Sequence, residues 1–118
     1  MKLDRTNSSG QFPLVRILPM VGNPVEENPL DLLFNYFFER TEAPYRQIKL
    51  HVDSADDLGV CLAGARKMGF VNFGCTVPYK TEIIEHCDEI AERSKGIGAI
   101  NLVTFEGPER RAVGENTD

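Results

Sequence analysis

Apolar positions along the chain switch between a period of two and a period near 3.6, and a turn residue marks most of the switches. Leu14 to Val21 is an apolar run closed by Gly22-Asn23-Pro24, which predicts a buried strand ending in a turn. Pro19 inside the run predicts an edge position or a bulge, because proline cannot donate to a ladder. Asn28-Pro29 has the form of an N-cap followed by proline at the first helical position. Leu32, Leu33, Tyr36 and Phe37 then give one helical stripe, ending near Ala43-Pro44. Tyr45 to Val52 alternates, with Ile48, Leu50 and Val52 opposite Gln47, Lys49 and His51, the pattern of a half-buried strand.

Ser54 with Asp57 forms a capping-box variant ahead of Leu58, Cys61, Leu62, Ala65 and Met68 at helical spacing, and Gly69 is the natural stop. Phe70 to Val77 reads as a third strand. Pro78 is expected to open a third helix with Ile83, Ile84, Cys87, Ile90 and Ala91 on its inner face, stopped by Gly96 and Gly98. Ala99 to Phe105 and Arg111 to Val113 flank Gly107-Pro108 and predict a hairpin. The order β-α-β-α-β-α-β-β implies an α/β fold, a three-layer domain whose mixed, mostly parallel sheet is flanked by helices.

Composition narrows the class. The chain has 118 residues, enough for one domain with a real core. Residues 1–12 are polar and read as a disordered leader without the apolar stretch of a signal peptide, leaving 13–118 as the domain. A net charge of −5 argues against a nucleic-acid partner. No apolar run approaches the length of a membrane span. The three cysteines, Cys61, Cys75 and Cys87, have no metal-ligand spacing and read as buried small hydrophobes in a reducing cytoplasm, with no metal expected.

Three places could carry chemistry. Lys80, two residues past Pro78, would set a cation against the dipole of the expected helix; the plain alternative is a surface lysine. Asn101 lies in an apolar segment, where an amide needs partners. Gly114-Glu115-Asn116-Thr117-Asp118 follows the last strand, and α/β folds bind ligands at strand ends; its alternative is an ordinary polar turn.

Four segments occur in order: Gly69-Phe70, Thr76-Val77-Pro78-Tyr79-Lys80, Ile97-Gly98-Ala99-Ile100-Asn101 and Gly114-Glu115-Asn116-Thr117-Asp118. Together they resemble the shikimate dehydrogenase pattern GF…NVTxPHK…IGAxNT…GxNTD, over roughly Leu14 to Asp118. Gly22-Asn23-Pro24 is similar to that family's strand-end GNP, and Asn35 falls on the Asn of its SxSPxxHN segment. The resemblance implies Lys80 and Asp118 as the catalytic pair, and Thr76, Asn101, Asn28 and Tyr79 as substrate contacts. It implies oxidation of shikimate, or a related cyclic polyol acid such as quinate, with NADP in aromatic amino-acid biosynthesis. The expected partner is that small molecule, with no nucleic acid or membrane, in the cytoplasm.

The chain departs from the pattern at several points. The family's two clamp serines fall on Asn28 and Leu30; its NVT asparagine is Gly74, its histidine Tyr79, and the Thr after IGAxN is Leu102. Asn28 is accounted for equally by the helix cap. The chain has no G-x-G-x-x-G stretch, so NADP is expected on a Rossmann domain outside it, and the 118 residues alone are expected to be inactive. A surface left bare by the missing C-terminal region is expected to favour self-association. The competing reading is a non-catalytic small-molecule binding module that kept the fold.

Overall fold

The computed structural model describes residues 14–118. The leader expected over residues 1–12 lies outside them. The chain folds as β1 (Arg16–Gly22), α1 (Leu30–Thr41), β2 (Tyr45–His51), a 3-10 turn (Ala55–Asp57), α2 (Leu58–Lys67) and β3 (Asn72–Cys75). A second 3-10 turn (Glu82–His86), β4 (Glu89–Ile90), a third (Glu92–Ser94), β5 (Leu102–Glu106) and β6 (Arg111–Glu115) complete it. The six strands form one sheet in the order β2-β1-β3-β5-β6-β4. The β1–β2, β1–β3 and β4–β6 pairs are parallel, and β5 runs antiparallel to β3 and β6. The expected mixed, mostly parallel sheet is therefore present.

From β1 the chain steps outward to β2, then back past β1 to β3. The two crossovers run in opposite directions along the sheet, and the right-handed rule for such connections assigns α1 and α2 to opposite faces, a three-layer arrangement. The two faces are unequally filled. Leu58, Leu62 and Ala65 of α2 join Val21, Phe73, Cys75, Ile83, Ile100 and Val103 in the core. Leu58 and Ile83 are fully enclosed, and each contributes about 1.5–3 kcal/mol by leaving water. Helix α1 buries no residue completely. Its Leu32, Leu33, Tyr36 and Phe37 are exposed.

Two expectations about elements are corrected. Pro19 is neither at an edge nor in a bulge: β1 lies between β2 and β3, and the ring is fully buried. The β1–β3 pairs begin at Met20↔Gly74, so the missing N–H falls before that ladder. The long third helix does not form. Asp88 turns the chain instead, donating its N–H to the Ala112 carbonyl at 2.8 Å and accepting from the Ala112 N–H through Oδ2 at 2.8 Å. The next two residues pair with Val113 and Gly114 as β4. Edge pairing of β6 outweighs the helical spacing of the isoleucines, and Cys87 packs against the core from a turn.

On its outer side β2 would be a bare edge. Asn35 of α1 covers it, donating from Nδ2 to the Gln47 carbonyl and accepting the Gln47 N–H at Oδ1, both at 2.8 Å. At the hairpin tip Arg110 takes φ +54°. It stacks over Phe105 at 4.7 Å and donates to the Phe70 carbonyl at 2.6 Å, which ties the hairpin to the end of α2.

Candidate functional site

Topology assembles the site. Because β5 is antiparallel to β3 and β6, the C-terminal ends of β3 and β6 lie at the same edge of the sheet as the start of β5. The segments after Cys75 and Glu115 and before Leu102 therefore meet. Backbone bonds lock them: Cys75 N–H donates to the Asn101 carbonyl at 2.9 Å, and Asn101 N–H to the Glu115 carbonyl at 3.2 Å. Ile100 N–H donates to the Lys80 carbonyl at 2.7 Å, holding Lys80 beside the start of β5.

The side chains converge from there. Lys80 Nζ lies 3.5 Å from Asp118 Oδ2, with the lysine side chain 35% exposed and the aspartate 69%. Asn101 Nδ2 donates to the other carboxylate oxygen at 3.2 Å and to Thr117 Oγ1 at 2.9 Å. Asn101 Oδ1 accepts the Thr117 N–H at 3.1 Å. Asn101 sits one residue before β5 and is half-buried, not inside an apolar strand as its sequence context suggested. Lys80 stands in a turn, so no helix dipole opposes it. Thr76 follows β3 directly and donates its N–H to the Val21 carbonyl at 2.9 Å. Among the described residues its hydroxyl has no partner, which leaves it open to a ligand.

Asn28 and Tyr79 are already engaged within the fold. Asn28 Oδ1 accepts the Leu30 N–H at 3.0 Å, but the N-cap of α1 is Pro29 and Leu30 is its first residue, one position later than the expected cap at Asn28. Tyr79 is 3% exposed and its hydroxyl donates to the Val52 carbonyl. This corrects its expected place among the substrate contacts: the ring faces the core and the hydroxyl is bonded inside the protein. Two further residues matter that the motif reading left in the background. Asn116 Oδ1 accepts the Asp118 N–H at 2.9 Å, and Thr117 bridges to Asn101. Their signal was an amide and a hydroxyl side by side at a strand end.

Burial raises the Cys75 thiol to about 12, with neighbouring Cys87 adding to it, and lifts Cys87 to about 11, helped by Asp88. Cys61 is raised as well, by burial first and then by Asp57. None of the three is a nucleophile near neutral pH. No group of three or more His, Cys, Asp or Glu among the described residues could hold a metal ion.

Residues 20–103 match the family model described as the shikimate dehydrogenase substrate binding domain. The chain belongs to this family. It is 36% identical over 101 residues to a shikimate dehydrogenase (NADP(+)) of Lysinibacillus sphaericus, covering 84% of this chain and 35% of that protein. A Methanocaldococcus jannaschii protein of the same name is 31% identical over 103 residues, covering 87% and 36%. The chain thus spans about a third of the length of the curated relatives it matches. A crystal structure of a shikimate dehydrogenase in complex with NADP+ superposes with a TM-score of 0.80 at 27% identity, over 99% of this chain and 38% of that one. The ligand-free 5-ketofructose reductase of Gluconobacter sp. strain CHM43 gives 0.79 at 27% identity, over 90% and 37%.

Proposed function

We propose that residues 13–118 are the substrate-binding half of a dehydrogenase that oxidises a ring hydroxyl of shikimate, or of a related cyclic polyol acid such as quinate, in aromatic amino-acid biosynthesis. The observation that carries this reading is the triad of Lys80, Asp118 and Asn101, joined by contacts of 3.5 and 3.2 Å. Oxidising a carbinol carbon requires loss of its hydroxyl proton, and the Lys80 amine is the base. Asp118 holds that amine and offers an acceptor to a neighbouring hydroxyl. The Thr76 hydroxyl, without a partner among the described residues, can donate and accept, as a polyol demands, whereas the Asn101 amide already bonds Thr117 and Asp118 and reaches a ligand only by exchanging those bonds.

The relatives' names bring NADP with them, but the residues described here do not fit its pyrophosphate. Helix α1 begins behind Asn28-Pro29, and α2 begins behind Asp56-Asp57, whose charge repels phosphate. Neither start is a glycine-rich turn leaving a strand, so NADP is assigned to the remainder of a longer enzyme. No described helix is long and apolar enough to cross a membrane, and a cytoplasmic setting belongs to the proposal. The exposed Leu32, Leu33, Tyr36 and Phe37 face of α1 supports self-association of this chain.

A second reading is favoured by Leu30. It stands 38% exposed where the resemblance puts a serine of the carboxylate clamp, and a leucine side chain donates no hydrogen bond. The chain is then a non-catalytic small-molecule binding module that kept the fold. The deciding experiment is turnover of the full-length protein on shikimate and quinate with NADP and with NAD. Activity on either acid, reduced roughly 10²- to 10⁴-fold by Lys80→Met, supports the dehydrogenase. Shikimate binding without turnover supports the module. The 118-residue chain alone is expected to reduce no NADP.

A further inference from the structure

Ser94 is 2% exposed, a rare degree of burial for serine. It closes the 3-10 turn after β4, and its Oγ accepts the Asn116 N–H at 2.9 Å. Asn116 extends the connection in two directions. Its Nδ2 donates to the Ala99 carbonyl at 3.1 Å, and its Oδ1 accepts the Asp118 N–H at 2.9 Å. A route of three side chains therefore runs from the enclosed edge of the sheet to the exposed carboxylate opposite Lys80. The segment leaving β6 makes no further ladder pairs after Glu115, so its direction depends on such side-chain bonds. Asn101 holds one side of it through the Thr117 N–H at 3.1 Å, and Ser94 holds the other.

We propose that Ser94 is a positioning residue for Asp118: its buried hydroxyl fixes the Asn116 backbone, and Asn116 fixes the backbone of Asp118 against Lys80. Nothing in the sequence pattern marks Ser94, because the expected third helix gave it no role. The inference rests on the reading of Asp118 as a functional group of the site. Removing the hydroxyl leaves the Asn116 N–H without its buried acceptor, a loss close to one net hydrogen bond.

The test is amide hydrogen exchange and NMR on this chain. In Ser94→Ala, exchange at the Asn116 and Asp118 amides should rise about tenfold, while the amides of β5 and β6 keep their protection. The 15Nζ resonance of Lys80, which senses the carboxylate 3.5 Å away, should move. Asn116→Ala should reproduce the Asp118 and Lys80 effects, and combining the two substitutions should add nothing further at Asp118. If Ser94→Ala does not fold, Ser94→Cys fills the space with a weak acceptor and serves the same comparison. An Asn116 amide that opens while Asp118 and Lys80 stay unchanged overturns the inference, because Ser94 then supports only its own turn. Neither readout is turnover, so failure of this positioning role is distinguishable from failure of the dehydrogenase reading.

Discussion

Replacing Tyr79 with phenylalanine separates packing from recognition. The phenyl ring keeps the core position, and only the hydroxyl that donates to the Val52 carbonyl is lost. Val52 is 5% exposed, so water does not readily replace that donor, and its own N–H remains bonded to the Gly22 carbonyl at 3.2 Å. A buried acceptor left without its donor costs about 1–2 kcal/mol. For 118 residues the melting entropy is roughly 0.25 kcal/mol/K, so Tm should fall by about 4–8 °C. Urea unfolding followed by circular dichroism should show a lower midpoint with an unchanged slope. Affinity of the full-length enzyme for shikimate should stay within about twofold, since the hydroxyl does not face the site. Unchanged stability together with a tenfold loss of affinity would refute this reasoning and return Tyr79 to the substrate contacts.

Gly22→Ala should destabilise by about 1–3 kcal/mol and disturb the site, because the added Cβ would lie 2.6 Å from Thr76 Cγ2 and 3.0 Å from the Val77 carbonyl oxygen; the Thr76 amide resonance and the urea midpoint should move together. Alkaline stability should follow the buried thiols. Their folded values of about 12 for Cys75 and about 11 for Cys87 lie above the ordinary value of 9.0, so the unfolded chain releases these protons first. Stability should therefore be undiminished below pH 9 and decline as pH rises toward 11–12. Cys75→Ala should flatten that decline in urea titrations at successive pH values, and an unchanged slope would argue against Cys75 as its source.

The outline of the fold was legible wherever one face of an element is buried. Leu58, Leu62 and Ala65 enter the core as their spacing required; the alternation of Tyr45 to His51 marked β2 as a strand but not its burial, since no residue of β2 is buried and Leu50 is 38% exposed. Periodicity failed between Pro78 and Ser94, because Ile83, Ile84 and Ile90 satisfy a helical stripe equally well when held in turns and a two-residue strand. What decided the matter was an unpaired edge of β6, which no local pattern reveals. The site was legible to the extent that its residues cluster in short motifs: Lys80, Asn101 and Asp118 meet through the topology. Tyr79 shows the limit, since its place in a motif said nothing about which way its ring points. Ser94 and Asn116 act through single hydrogen bonds across 22 positions of sequence, a separation that carries no periodic signal.

The amide of Asn35 imitates one residue of a seventh strand. By satisfying the Gln47 N–H and carbonyl together, it occupies the hydrogen-bonding position at which a neighbouring chain would first dock on β2. A polymer growing by sheet extension must displace that amide before it can add a strand. Extension of the sheet at this edge therefore starts from an occupied position and not from a bare one.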